Sequence, residues 1–492
     1  MKKLLMSVAV LGAGCMLFSA CGGMYDEGGF RGPSYDYITD AEEDNFVHDS
    51  IIEKDFTSVS QTATSYFSLD RNTASYSQIR TQIDDGQKVD CDSVRIEEMI
   101  NYFDYGFAAP TDKSVALTTA LSPCPWNKDN NLMLVGLKTT QVEVEDVNAN
   151  YVFLIDVSGS MSGSTRLPLA KQGFNMLLDG LGDRDVVSIV TYASGVKTVL
   201  DGSECTDEGK KEIRSAISSL VASGATSGGD GLERAYRIAQ KHFIDGGNNR
   251  VILISDGDFN VGMSDTDELH EFIQNKAASG VYLSVIGVGM GNMRDDLLET
   301  LATKGNGNYA YLDSAAEARK VFVDELNGTL FTVAKDAKAG VTFTDEVNKY
   351  RLIGYDTKLI TEDDFNNDKS DTGEIGANLC VAALYEIALS ANAEGKLAEA
   401  EVRYKDVSGK EEKSESVTCS VEITTPSSED LSFISCVAEF GLILRDSKYK
   451  GAASLEAVLN RLNGLSDYIA DDYYKKEFVG LVGKASESKY YI

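Results

Sequence analysis

Histidine is scarce in this chain, with three residues in 492, and no two of its eight cysteines are spaced C-x-x-C. A zinc cage built from Cys and His is therefore not expected. Basic residues are also in deficit: 46 Lys and Arg stand against 77 Asp and Glu, a formal net charge of −31. Such a surface repels phosphate backbones and offers no basic stripe to displace counterions, which argues against a nucleic-acid partner. The acidity itself reads as a solvated, self-repelling surface. Catalytic signatures are missing too. His242 and His270 fall on predicted helices with no nucleophile motif beside them, so a hydrolytic triad has little support. Gly287-Val288-Gly289-Met290-Gly291 lacks dinucleotide-loop spacing and reads as a strand exit. The sole tryptophan, Trp126, reads as a core anchor. No enzymatic activity is expected.

The apolar run from Leu4 to Phe18 is too short for a dependable membrane span, but it follows Lys2 and Lys3 and precedes Ser19-Ala20-Cys21-Gly22. That is the layout of an export signal over residues 1–20. Phe18-Ser19-Ala20-Cys21 resembles a bacterial lipobox, which implies cleavage before Cys21 and lipidation of its thiol; Cys15 is a second candidate. Gly22 in place of Asp points to the outer rather than the inner membrane of the cell envelope. The remaining Cys91, Cys124, Cys205, Cys380, Cys419 and Cys436 would enter an oxidising space, where disulfides and buried thiols are both open readings.

Residues 21–60 lack periodicity and read as a flexible tether with a reach of roughly 35 Å. Residues 61–150 combine two helical stretches with apolar alternation at Val115 to Leu121 and Leu132 to Leu137. From 151 to 334 strands and helices alternate, starting with Val152 to Ile155 and ending with a helix from Ala315 to Leu330. This predicts an α/β fold, a doubly wound, mostly parallel sheet with ligand-binding loops at one rim. Residues 335–428 read as β-sandwich strands and 429–492 as helices. Strand-like runs on both sides of the α/β block suggest that it is inserted into a β-sandwich-like scaffold.

Asp156-Val157-Ser158-Gly159-Ser160 directly follows the apolar strand Val152 to Ile155, so its alternate oxygens fall on the exit loop at that rim. Hydroxyls, carboxylates and retained waters suit magnesium, and nothing in the motif is soft enough to prefer copper or zinc. Alone the pattern is weak, since Asp, Ser and Gly are ordinary turn formers. Its context strengthens it: Ser223-Gly224-Ala225-Thr226-Ser227 precedes a helix, and Asp256 closes the buried strand Val251 to Ile254. A second alternation, Asp364, Asn366, Asp368 and Ser370, resembles a calcium loop. Lys369 stands where glycine is required, however, so it reads as a polar turn.

Taken in order, the three elements resemble the metal-ion-dependent adhesion site of von Willebrand factor A domains. That resemblance implies that Ser158, Ser160 and Thr226 ligate the metal, with Asp156 and Asp256 acting directly or through water. Arg95-Ile96-Glu97-Glu98-Met99-Ile100-Asn101-Tyr102-Phe103, Gly305-Asn306-Gly307-Asn308-Tyr309-Ala310-Tyr311 and Gly373-Glu374-Ile375-Gly376-Ala377 are similar to stretches of the bacterial YfbK-like lipoproteins. The resemblance runs from about Ser65 to the C-terminus. That branch implies little about a ligand; the lipobox and adhesion-site resemblances together imply a lipid-anchored envelope protein that binds a protein ligand through magnesium, with manganese or calcium as alternatives, and an Asp or Glu of the partner completing the shell. The alternative is an envelope assembly or scaffold factor with a mainly structural metal, linked to a MoxR-type ATPase.

Overall fold

The computed structural model describes residues 50–491 apart from 70, 143–146, 226–228, 258–265, 290–294, 326–327, 329–330, 369–371 and 408–412. The signal sequence, Cys21, Thr226 and Ser370 lie outside the described residues.

The first flank contributes β1 (Thr57–Ser58), β2 (Thr64–Ser68), α1 (Ala74–Asp84), α2 (Ile96–Asn101), β3 (Val115–Pro123) and β4 (Asn131–Thr139). The α/β block opens with β5 (Ala149–Asp156), α3 (Leu167–Gly180), β6 (Val186–Tyr192), β7 (Val196–Glu204), α4 (Asp207–Ser219) and α5 (Gly229–Lys241). It continues with β8 (Asn248–Ser255), α6 (Thr266–Ala278), β9 (Val281–Val288), α7 (Asp295–Lys304), β10 (Tyr309–Leu312) and α8 (Ala315–Arg319). The second flank holds β11 (Thr332–Phe343), β12 (Val347–Ile353), α9 (Glu362–Asn366), β13 (Gly373–Gly376), β14 (Cys380–Leu389), β15 (Lys396–Asp406) and β16 (Lys413–Glu422). Helices α10 (Glu429–Leu444), α11 (Leu455–Gly464), α12 (Ser466–Ile469) and α13 (Tyr473–Glu487) follow.

Both flanks build both sheets of the scaffold. One sheet runs β1-β12-β14-β4-β3; the other runs β13-β11-β15-β16, with β2 also paired to β11. Strand β4 shows why this scaffold has three layers. Its alternate residues Met133, Val135 and Leu137 join Val341, Leu397 and Val402 between the sheets, whereas Leu132 and Leu134 meet Ile96, Phe440 and Phe478 of the helical layer. A strand buried on both faces is apolar on both, apart from polar groups that find partners, and β14 repeats the pattern with Ala382 and Leu384 on the helical side. The boundary of the expected tether moves accordingly. Thr57 and Ser58 pair with Tyr350 and Lys349, because extending the β12 edge satisfies backbone groups that a free tether would leave to water.

The inserted sheet has the order β10-β9-β8-β5-β6-β7, parallel throughout except for the antiparallel β6–β7 pair. Every residue of β5 and β8 is buried, as expected for central strands covered on both faces. The chain winds from β5 outward through β6 and β7, then crosses to β8 on the other side. The carboxyl ends of β5 and β8 therefore meet at a topological switch point, the position at which open α/β sheets bind ligands. Among the described residues no helix is long and apolar enough to cross a membrane.

The helix expected over Ala315 to Leu330 is interrupted. It is α-helical only to Arg319 and continues as a π-turn over Lys320–Asp324, where Glu325 N–H bonds Lys320 O at 2.8 Å. The same two residues pair through their side chains, and Arg71 grips Glu325 from the scaffold. The wider turn lets Lys320 and Glu325, five residues apart, meet on one face.

Candidate metal centre

The register places Ile155 of β5 beside Ile254 of β8. The next residues, Asp156 and Ser255, lie level, and Asp256 stands one step further along the same rim. Asp156 is fully buried and Asp256 only 3% exposed. Ser158 N–H donates to Asp156 Oδ1 at 2.7 Å, an Asx-type turn that reverses the chain just after the strand. A single turn over Gly159–Ser162 follows, and it brings Ser158 Oγ and Ser160 Oγ to 2.9 Å.

The loop before α5 is tied to this turn through the backbone. Gly159 N–H donates to Gly224 O at 2.9 Å, Ser223 N–H to Val157 O at 2.7 Å, and Val157 N–H to Tyr192 O at 3.0 Å. Gly224 adopts φ +88°, and a Cβ there would come within 2.6 Å of Ser194 Oγ, which accepts from Ala225 N–H. Glycine is thus needed on both conformational and steric grounds. The chain reaches the rim at Ala225, immediately before Thr226.

The donor set passes a direct test for a hard divalent cation. Asp256 Oδ1 is buried and has no hydrogen-bond partner among the described residues. A sealed acceptor without a donor carries a desolvation cost of about 1–3 kcal/mol, more when charged, and a cation relieves it. Among the described residues no group of three or more His, Cys, Asp or Glu is placed to hold a metal ion. The available set here is two carboxylates with serine hydroxyls, which favours magnesium, manganese or calcium chemistry over a thiolate or imidazole cage.

Arg166 was not singled out from the sequence, yet it lies at this centre. Its Nη1 donates to Ser160 O at 2.5 Å and stands 3.7 Å from Asp256 Oδ2. Ser160 and Arg166 also line an open groove of about 960 Å³, whose other walls come from α1 at Asp84 and α13 at Glu477.

The remaining sequence candidates fall elsewhere. Asp364 is consumed by capping α9, with Thr361 Oγ1 accepting from its N–H, and Asp368 pairs with Arg403 at 2.9 Å. Asp364 and Asp368 therefore have structural partners, in line with a polar turn. His242 Nε2 meets Asp201 Oδ1 at 2.8 Å on the surface, away from the rim. Trp126 is buried and donates to Glu386 Oε2 at 3.2 Å. Cys91, Cys124, Cys205, Cys380, Cys419 and Cys436 are all free thiols.

Sequence comparison agrees with this architecture. The von Willebrand factor type A domain model matches residues 150–325, a second model described as von Willebrand factor matches 42–134, and the model for the C-terminal region of YfbK matches 328–487. The Escherichia coli (strain K12) protein described as "Uncharacterized protein YfbK" is 37% identical over 429 residues, which is 81% of this chain and 74% of that protein. The chain belongs to the YfbK family. Human inter-alpha-trypsin inhibitor heavy chain H3 is 27% identical over 246 residues, 47% of this chain and 27% of that protein. A solved von Willebrand factor type A protein from Catenulispora acidiphila is 15% identical with a TM-score of 0.42, covering 76% of this chain and 96% of that one. Within the YfbK family arrangement seen here, the A-domain match ends at residue 325 and the C-terminal match starts at 328, where the chain leaves the parallel sheet for β11.

Proposed function

We propose that this chain is a lipid-anchored protein of the bacterial cell envelope that binds a protein partner through a divalent ion at the carboxyl ends of β5 and β8. The single observation that carries the reading is the pair of buried carboxylates at one rim, one of which has an oxygen without a hydrogen-bond donor among the described residues. Asp156 and Asp256 would hold magnesium, with manganese or calcium as alternatives, together with Ser158, Ser160 and Thr226. When bound, the ion supplies an electrophilic point that accepts a carboxylate oxygen from the partner. Ser158 holds the Asp156 carboxylate through its own N–H, and the turn that follows keeps the Ser158 and Ser160 hydroxyls 2.9 Å apart.

A metal that serves only to staple the loops, as in an assembly or scaffold factor, is less well supported. The loops after β5 and before α5 are already joined by backbone hydrogen bonds of 2.7 and 2.9 Å. Binding at the site is thus a better use of two buried charges than tying down loops that are held without it. Anchoring through Cys21, with outer-membrane placement, belongs to the same proposal and rests on the lipobox resemblance alone.

Immobilised chain is exposed to envelope extract in magnesium, in chelator, and as Asp156→Ala. A partner retained only by the unaltered chain in magnesium supports the reading. One retained equally in all three arms overturns it.

A further inference from the structure

Arg166 precedes α3, and its placement is built from two sides. Its own loop turns so that Arg166 N–H bonds Gly163 O at 3.1 Å, leading the side chain back over Ser160. Across the rim, Gly289 directly follows β9 with φ +75°, and a Cβ there would overlap Arg166 Nε and sit 2.5 Å from Cγ. A glycine at that point leaves a slot for the arginine stem. The side chain is only 17% exposed, its head hydrogen-bonded to Ser160 O and its charge 3.7 Å from Asp256 Oδ2. This is a held cation, not a surface arginine that samples solvent.

We infer that Arg166 is a resident cation that competes with the divalent ion for the Asp256 carboxylate and thereby sets a weak intrinsic metal affinity. The inference rests on the metal reading above. Its physical basis is simple. Seating a double positive charge between Asp156 and Asp256 brings it within a few ångströms of a guanidinium in a partly buried setting, where Coulomb repulsion is poorly screened. The ion must also displace an ion pair that Asp256 already makes. Once the ion takes over Asp256, the Arg166 guanidinium stays beside it on the groove wall, with donor geometry suited to a carboxylate approaching the same ion. Metal and acidic ligand would then reinforce one another, each lowering the cost of seating the other.

The test titrates manganese alone into the full chain and reads free Mn2+ by electron paramagnetic resonance. Arg166→Gln is expected to bind Mn2+ roughly tenfold tighter. Arg166→Lys, which keeps the charge, is expected within about threefold of the unaltered chain, on the same Coulomb argument. Arg166→Met fills the slot beside Gly289 without charge and gives the same tightening if the glutamine variant folds poorly. In chelator, both uncharged variants melt below the unaltered chain, because Asp256 loses the cation it pairs with among the described residues until metal is added. Affinity unchanged or weakened in folded Arg166→Gln and Arg166→Met overturns the inference. The Asp156→Ala arm separates the two readings: if it binds Mn2+ as tightly as the unaltered chain, the metal reading fails irrespective of Arg166.

Discussion

Arg80 of α1 grips Asp313, just before α8, through two hydrogen bonds of 2.7 Å, Nε to Oδ2 and Nη2 to Oδ1. The same guanidinium reaches Glu317 Oε2 at 2.7 Å and Tyr102 Oη at 3.0 Å. Burial works against this charge, but Tyr102, Glu317 and Asp313 outweigh it and hold the guanidinium firmly protonated. The scaffold thereby clasps the last part of the inserted domain.

Arg80→Ala leaves Glu317 and Asp313 without their cation in a buried site, and removing one partner of such a pair costs about 3–5 kcal/mol. Urea unfolding should show a midpoint lowered accordingly. Arg80→Lys should recover only part of it, since an ammonium cannot match the planar fork.

Acid should loosen the joint at Glu325. Burial raises its pKa, but Arg71 and Lys320 overcome that and bring it down to about 2. Glu299 is likewise lowered, with Lys358 and Arg95 overcoming its burial. A carboxylate depressed in the folded state stabilises fully above its unfolded value, about 4.5, and that contribution fades as pH falls toward about 2. For Glu325 it amounts to something on the order of 3 kcal/mol. Stability measured by denaturant from pH 7 to pH 2.5 should fall most steeply below pH 4.5. Glu325→Gln should be less stable at pH 7 and show a shallower slope.

Gly376→Ala should destabilise the chain by about 1–3 kcal/mol, because a Cβ on β13 would overlap the Gly328 carbonyl oxygen, and backbone cannot step aside as a side chain can. Thermal melting checks this, and an unchanged midpoint would show that the two segments are not packed as described.

Much of this arrangement was readable in the sequence because the buried parallel strands are uniform apolar runs. Val186–Tyr192, Val281–Val288 and Tyr309–Leu312 are strands of this kind. The strands that escaped notice lack such a pattern. β7 is a half-exposed edge, and β13 is a four-residue Gly-Glu-Ile-Gly stretch whose strand character comes from pairing with β11. Tertiary partners override local propensity there. At the metal centre, Asp156, Ser158 and Ser160 announce themselves by local spacing, and Asp256 by closing a strand. Arg166 carries no such mark. Its role depends on Asp256 and Gly289, 90 and 123 positions away, which only the sheet brings together.

Magnesium or manganese at a hundred times its dissociation constant should raise stability by about 2.7 kcal/mol through binding to the folded state alone. Thermal melting with and without the ion measures this, and the gain should vanish in Asp156→Ala.

The most direct measurement is an anomalous difference map from crystals soaked in manganese. The account predicts one peak at the β5–β8 rim, beside Asp156, Ser158, Ser160 and Asp256, and none there in Asp156→Ala. A map from the unaltered chain with no peak at that rim, or with manganese bound only elsewhere, would contradict it.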